Sequence, residues 1–260
     1  MTSQISFKNP PIIELICGVQ YDIANYNFIL ESDFYSQVKQ SYPIIEVNQP
    51  LGPVFDKFSK VLDSDYEPRP PFFKRYFFID ETRSKLIQLQ EGRYLFNWRK
   101  LEGQETIYPT FRNVYNEFYA NWSLLEKVFQ SHKIEYSINQ LELTYIDHIP
   151  VEEFNPEIAK IDDIFVFFNN TGQLNNINSL NIGFSIPIND LFGHINIKLN
   201  TAIRKKDQKG VIVLDSTLRG MMGNKINSID EWFSKAHDLT INLFVELLTD
   251  NAKQKWGINK

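Results

Sequence analysis

The sequence is poor in the features that stabilise extracellular proteins or anchor proteins in membranes. Its 260 residues include one cysteine, Cys17, so no disulfide can form within the chain. No apolar run approaches the roughly 18 residues of a membrane-spanning helix, and the opening MTSQISFKNPP lacks the basic and apolar regions of a signal peptide. We therefore expect a cytoplasmic protein without a membrane partner. Cys17, within the apolar run IIELICGV, is either a buried core thiol or a reactive one.

The sequence also lacks the local motifs of several enzyme classes. No GxSxG, GxxxxGK[ST] or GxGxxG motif occurs, which argues against nucleophile-elbow hydrolases, P-loop ATPases and Rossmann enzymes. The four histidines show no metal-ligand spacing, and the neighbours Asp147 and His148 would point to opposite faces of a strand. We expect no metal and no cofactor. The pair His237 and Asp238, in a helical pattern, contains either a buried, hydrogen-bonded histidine or a catalytic one.

The charge of the chain disfavours nucleic acid as a partner but leaves one local exception. The net charge is −5, which repels phosphate backbones and anionic membranes. Between Arg69 and Arg112, however, the sequence contains nine cations and five acids, and aromatic residues are frequent. This combination can hold single-stranded nucleic acid by base stacking. Strand alternation directs most of these rings to the core. A second basic stretch, RGMMGNK from Arg219 to Lys225, either cradles an anion or turns the chain into the last helix.

The first half of the chain predicts a strand, a helix, three strands and a second helix. The first strand is IIELICGVQYD, and a helix capped by Ser32 or Asp33 ends before Pro43. Residues 44–72 are proline-rich and predict a loop that contains a short helix. The segments KRYFFID, KLIQLQ and RYLFNWR then alternate with a period of two, and a long amphipathic helix begins near Pro109.

The second half predicts the same order of elements. IEYSINQLELTYIDHI is a long strand, residues 151–165 form a polar connection or short helix, and NSLNIGFSIPI, FGHINIKLNTAI and GVIVLDSTL are three more strands. Ser228 and Glu231 have the spacing of a capping box before the last helix. The repeated order predicts an α+β fold of two similar lobes, residues 1–132 and 133–260. Each lobe would be an antiparallel sheet with a long amphipathic helix packed on one face, similar to saddle-like or helix-grip architectures. The alternative is one α+β domain whose elements happen to follow that order.

Several segments resemble a bacterial protein family of unknown function that is sporadically distributed among genomes. The resemblance rests on NPPIIELICGVQY, LIQLQEGRYLFNWR, YPTFRNVYNEFY and LELTYIDHI, which lie within roughly the first 150 residues, and on AHD in the last helix. Leu15 departs from the alanine expected after the glutamate. The resemblance implies a variable gene neighbourhood, among toxin–antitoxin and phage-defence genes, and it assigns no activity or catalytic residue.

Strand alternation places a set of polar residues on one side of the predicted sheet. The apolar side should be buried under the helices and includes Trp98, Phe118, Trp122, Leu141, Leu143 and Tyr145. The opposite side carries amides, an arginine and two glutamates, and we predict it as the binding surface: Glu14, Gln88, Gln90, Asn97, Arg99 and Glu142, with Thr144 beside them. The plain alternative is a solvated sheet face, or an Arg99 that pairs internally with Glu14 or Glu142.

These observations predict a non-catalytic cytoplasmic binding or regulatory protein. Its partner would be another protein or a small polar ligand, and it would act as the neutralising or accessory member of a toxin–antitoxin or phage-defence pair. The alternative is an enzyme or binder that acts on nucleotide or single-stranded nucleic acid, assembled from Glu14, Arg99, Glu142 and His148.

Overall fold

A computed structural model describes residues 5–52, 54, 73–101, 107–150, 161–168, 179–204, 208–223 and 226–259. The first half of the chain forms β1 (Ser6–Phe7), β2 (Ile12–Ile23), α1 (Phe28–Val38), β3 (Ile44–Asn48), β4 (Arg75–Ile79), β5 (Lys85–Gln90), β6 (Arg93–Arg99) and α2 (Phe111–Ser131). The second half forms β7 (Tyr136–Pro150), β8 (Asn181–Ile188), β9 (Gly193–Ile203), β10 (Gly210–Gly220), α3 (Ile229–Leu247), α4 (Asp250–Lys255) and β11 (Ile258–Asn259).

The α+β class is confirmed, but the strands of both halves form one sheet. Nine antiparallel strands lie in the order β3-β4-β5-β6-β2-β7-β10-β9-β8, and β1 pairs with β11 in a separate two-stranded sheet. The expectation of a separate sheet in each half is therefore wrong. β2 and β7 pair along most of their length at the centre, with Leu15 opposite Tyr145. Without this pairing both strands would be long edge strands with unsatisfied backbone groups, which explains why the halves join there.

The helices contact the strands that lie at the centre of the sheet. α2 contacts β2 and β6, and α3 contacts β7 and β10. The rings of Phe118 and Trp122 on α2 lie 5.8 and 5.6 Å from the ring of Tyr94 on β6. Tyr94 is opposite Val19, so it shares a side of the sheet with Leu15 and Cys17, which we call the helix face. All the side chains predicted to lie inside are buried: Trp98, Phe118, Trp122, Leu141, Leu143 and Tyr145.

The predictions for Cys17 and for the cap of α3 are confirmed, and the prediction for the cap of α1 is not. Cys17 is fully buried, which raises the pKa of its thiol and confirms the core interpretation. The cap of α3 is confirmed, since Ser228 Oγ accepts a hydrogen bond from Glu231 N at 3.1 Å. The predicted cap of α1 is wrong. That helix begins earlier, where Asn27 Oδ1 accepts from Ile29 N at 3.0 Å, because an asparagine satisfies an unpaired N–H at the first turn as well as Ser or Asp does.

The proline-rich segment after Pro43 contains a strand that alternation did not reveal. Ile44–Asn48 forms β3, which pairs with β4 at the edge of the sheet. The short helix predicted within 44–72 falls on residues 55–72, which lie outside the described residues, as do 151–160 of the predicted polar connection. Within the described part of the chain, no helix is both long and apolar enough to cross a membrane.

Candidate functional site

All six residues predicted as a binding surface lie on the side of the sheet opposite the helix face. Arg99 is opposite Glu14, and Asn97 is opposite Ile16, in the β2–β6 ladder. Glu142 is opposite Gly18 on β7. Gln88 and Gln90 on β5 are opposite Leu95 and Arg93. Cross-strand neighbours share a face, so these residues form one surface, which we call the polar face.

The polar face is buried, whereas a solvated sheet face was one expectation. The exposed fractions of Gln88, Gln90, Asn97 and Glu142 are 9, 3, 2 and 7%. Glu14 and Arg99 are half-buried. Buried polar side chains must be hydrogen-bonded to offset the loss of water, so these positions form an internal polar layer.

A row of amides crosses four strands of the polar face. Arg75 Nη1 on β4 donates to Gln88 Oε1 at 3.1 Å, and Gln88 Nε2 donates to Asn97 Oδ1 at 2.9 Å. Asn97 Nδ2 in turn donates to Glu14 Oε1 at 2.7 Å. The row therefore runs from a guanidinium to a carboxyl. Burial raises the pKa of Glu14, although the hydrogen bond from Asn97 and the charge of Arg99 act in the opposite direction.

Glu142 lies between two arginines that the sequence interpretation left out of the site. Arg93 Nη2 donates to Glu142 Oε2 at 2.8 Å, and Arg219 Nε donates to the same oxygen at 2.5 Å. The side chains of Arg93, Arg219 and Glu142 are 8, 18 and 9% exposed. Alternation could have identified Arg93, because it is two and four positions before Leu95 and Asn97. The sequence placed Arg219 in a stretch that either cradles an anion or turns the chain into the last helix, but Arg219 lies within β10; Asn224 and Lys225 of that stretch are outside the described residues.

Gly18 provides space on the polar face between β6 and β7. It lies on β2, which runs between those strands, with Leu95 of β6 opposite it on one side and Glu142 of β7 on the other. A β-carbon at position 18 would lie 2.5 Å from Leu95 Cδ2 and 3.4 Å from Glu142 Cβ. A side chain here would therefore overlap Leu95 and crowd Glu142.

Cations exceed acids in this part of the polar face. Burial, and then the positive charge of Arg93, lowers the pKa of Arg75. Among the described residues, Arg75 Nε and Arg99 Nε are buried without a hydrogen-bond partner. Arg93 and Arg219 share the carboxylate of Glu142, and Arg75 adds a third positive charge at the start of the amide row that ends at Glu14.

Three glutamines hold a backbone segment against one end of the polar face. Gln90 accepts from Leu51 N at 2.9 Å and donates to Leu51 O at 2.8 Å. Gln20 Oε1 accepts from Val54 N at 3.2 Å, and Gln140 Nε2 donates to Val54 O at 2.7 Å. Gln90 therefore uses both ends of its amide to bind the chain itself.

Arg99 does not pair with Glu142. Its Nη2 donates to the carbonyl of Arg83 at 3.0 Å, and it lies opposite Glu14. The four residues of the predicted enzyme site, Glu14, Arg99, Glu142 and His148, are not brought together either. Glu142 and His148 are six residues apart on β7, which corresponds to about 20 Å along an extended strand. On the second half of the sheet, Thr144 Oγ1 lies 2.9 Å from Thr217 Oγ1, which donates to Asp215.

Histidines and carboxylates do not form a metal site in the part of the chain that the structure describes, where no three such groups are close enough to share an ion. No family model matches the chain, and no match was found among curated proteins.

Proposed function

We propose that the chain is a non-catalytic binding protein with a regulatory role, and that its polar face holds a small ligand bearing a carboxylate or phosphate. The observation that carries this proposal is the convergence of Arg93 and Arg219 on one oxygen of Glu142, with Arg75 nearby. One carboxylate neutralises one of these charges. A buried cation without a counter-charge is costly, so an anionic ligand would stabilise this region.

The donor geometry suits a planar anion. A guanidinium presents five N–H donors in a fixed fork that matches a carboxylate or phosphate. Arg219 uses Nε and Arg93 uses Nη2 in the bonds to Glu142, and Nε of Arg75 is buried without a partner among the described residues. The neighbouring amides of Gln88 and Asn97 would orient the polar part of the same ligand.

Burial favours a small ligand over the surface of another protein. Protein interfaces form from exposed residues, whereas four of the six predicted residues are less than a tenth exposed. Binding is favoured over catalysis because Glu142 Oε2 accepts hydrogen bonds from two arginines and Glu14 Oε1 accepts one from Asn97. These oxygens are engaged by protein donors and are not positioned to take a proton from a substrate.

The alternative ligand, a nucleotide or single-stranded nucleic acid, is favoured by the same arginines. A nucleotide phosphate falls within the proposed ligand class. A single strand would also need exposed rings for stacking, but Tyr94, Phe96 and Trp98 of the basic segment are at most 2% exposed and belong to the core. The role in a toxin–antitoxin or phage-defence pair is a proposal that rests on the resemblance to the sporadically distributed family.

The order of strands in the sheet supports two similar halves of the chain. The first half has the long strand β2 and the three strands β4, β5 and β6, and the second half has the long strand β7 and the three strands β8, β9 and β10. In each half the last of the three strands pairs with the long strand, since β6 borders β2 and β10 borders β7. We infer two structurally similar halves that share a sheet, and superposition of residues 10–130 on 134–250 tests this inference.

Calorimetric titration with inorganic phosphate, citrate and ADP tests the ligand class. We expect saturable binding of at least one probe, weakened at least tenfold in Arg75→Gln and in Arg219→Gln, by loss of a charge-assisted hydrogen bond of about 1.5–3 kcal/mol. Lys198→Gln is the matched control, because Lys198 is an exposed cation on the same face, opposite Asp215. The proposal fails if no probe binds saturably, or if all three variants lose affinity equally.

A further inference from the structure

A cavity lies on the helix face, where the N-terminal segment, the start of α2 and the middle of α3 meet above β7. Its volume is about 730 Å³, and its described lining includes Tyr108, Phe111, Tyr145, Asp147, His237 and Phe244. From this arrangement we infer a binding site for a small amine, in which Asp147 pairs with the cationic nitrogen and the aromatic walls hold the apolar body. The site is separate from the polar face and does not depend on the function proposed there.

The walls of the cavity are mainly aromatic and apolar. The ring of Phe111 stacks on the ring of His237, with centroids 4.1 Å apart and planes within 7°. Tyr108 and Tyr145 contribute two more rings, and Ile241 and Phe244 come from the following turns of α3. Aromatic faces attract organic cations, so walls of this kind favour an ammonium-bearing molecule over an anion. The volume falls in the range of pockets that bind small organic molecules.

Asp147 supplies a carboxyl that has no neutralising partner among the described residues. It lines the cavity and is 6% exposed. Within the described ranges, no residue donates a hydrogen bond to its carboxyl or forms an ion pair with it. Burial alone raises the pKa of Asp147 to about 7. A bound N–H donor in the cavity would pair with this carboxyl.

The other polar groups around the cavity do not serve as that donor. Tyr145 hydroxyl lies 2.7 Å from His237 Nδ1, so its hydrogen bond is used. Burial lowers the pKa of His237 to about 4, which leaves the imidazole neutral near pH 7. Arg112 at the rim binds Asp230, with 2.8 Å between Nη1 and Oδ1. Lys8 and Ser216 also line the cavity, and within the described residues neither is joined to Asp147 by an ion pair or a hydrogen bond. The donor would therefore come from the ligand.

Titration of two amines of different size, 2-phenylethylamine and tryptamine, tests this site, with neutral 2-phenylethanol as the uncharged comparison. We expect at least one amine to bind the wild type saturably, and to bind Asp147→Asn at least tenfold more weakly. Asp238→Asn is the matched control, since Asp238 lines the cavity but is exposed. It should retain affinity, as should Arg219→Gln on the opposite side of the sheet. Asn carries no charge to bury, so the Asp147 variant should fold, which its melting temperature will show.

Equal amine affinity in Asp147→Asn and the wild type would overturn the inference, as would the absence of saturable binding by both amines. Binding of 2-phenylethanol as tight as that of 2-phenylethylamine would also overturn it, because the cavity would then select for apolar shape alone. Loss of amine binding in Asp147→Asn together with retention in Arg219→Gln would support it whatever the polar face binds.

Discussion

At the scale of single residues, the two acids of the polar face have opposite electrostatic settings. Glu142 accepts hydrogen bonds from two arginines and is the counter-charge of both. Glu14 accepts from the neutral amide of Asn97, and burial raises its pKa, so its neutral form costs little. The same chemical change should therefore have different consequences at the two positions.

We expect Glu142→Gln to destabilise the protein by about 3–5 kcal/mol, because it leaves two buried guanidinium groups without a counter-charge. Glu14→Gln keeps the hydrogen bond from Asn97 and should change the free energy of unfolding by about 1 kcal/mol or less. Urea denaturation of both variants measures the difference. Similar losses of stability in the two variants would contradict the assignment of Glu142 as the shared counter-ion.

Asp147 and His237 should make opposite contributions to the pH dependence of stability. The pKa of Asp147 is raised from 3.8 to about 7, so the folded protein binds this proton more tightly than the unfolded chain and loses stability as pH rises through that interval. The pKa of His237 is lowered from 6.5 to about 4, so its contribution is present above pH 6.5 and is lost as pH falls towards 4.

The variants separate these two contributions. Relative to wild type, Asp147→Asn should gain stability as pH rises from 4 to 7, by on the order of 3–4 kcal/mol, and the gain should level off above that. His237→Gln should instead gain relative stability as pH falls below 6.5. Denaturation series at several pH values measure both differences. A pH-independent difference for Asp147→Asn would show that its carboxyl has an ordinary pKa.

At the scale of elements, close packing between β2 and β6 sets the geometry of the polar face. The side chain of Leu95 on β6 packs over Gly18 on β2, and Leu95 is 4% exposed. The same glycine lies between Leu95 and Glu142 in the cross-strand register. The packing beside Glu142 thus depends on one small residue in a central strand.

Gly18→Ala should cost about 1–3 kcal/mol, because the added methyl group overlaps Leu95 Cδ2 in a packed layer. Leu95→Ala alone should also destabilise, by removing buried volume. In the double variant the new methyl group occupies part of the space that Leu95 leaves, so its loss should be smaller than the sum of the two single losses. Additive losses in a double-mutant cycle would show that these two positions do not compete for space.

At the scale of the whole molecule, the β2–β7 ladder makes the two halves of the chain mutually dependent. Both strands lie at the centre of a single sheet, between strands of their own half and of the other half. α2 and α3 each contact the central strand of their own half. Separating the halves would expose both central strands as long, largely apolar edges.

We expect fragments 1–132 and 133–260 to be unfolded or aggregated when produced alone, and the intact chain to unfold in one cooperative transition. Circular dichroism and size-exclusion chromatography of each fragment, with calorimetry of the intact protein, provide the measurement. A fragment that is monomeric and melts cooperatively would instead support two independent lobes.

Local patterns in the sequence determined the long strands, the long helices and which side chains share a side of the sheet, but not the edge strand β3. Alternation along LIQLQ and RYLFNWR placed Gln88, Asn97 and Arg99 on one face, because side chains of an extended strand point to alternate sides whatever the strand pairs with. Helical spacing placed Phe118 and Trp122 inside for the same kind of reason. These features depend on a residue and its near neighbours along the chain.

Only the tertiary structure decided which distant residues meet. No local pattern indicates that β2 pairs with β7, since strand pairing depends on which edges remain unsatisfied after the hairpins form. The two arginines on Glu142 come from β6 and β10, 49 and 77 residues away in sequence. Asp147 gained its cavity from α2, α3 and the N-terminal segment together. Burial, charge pairing and cavity shape depend on contacts from the whole packed chain. The sequence therefore supplied the candidate residues, and the fold decided their partners.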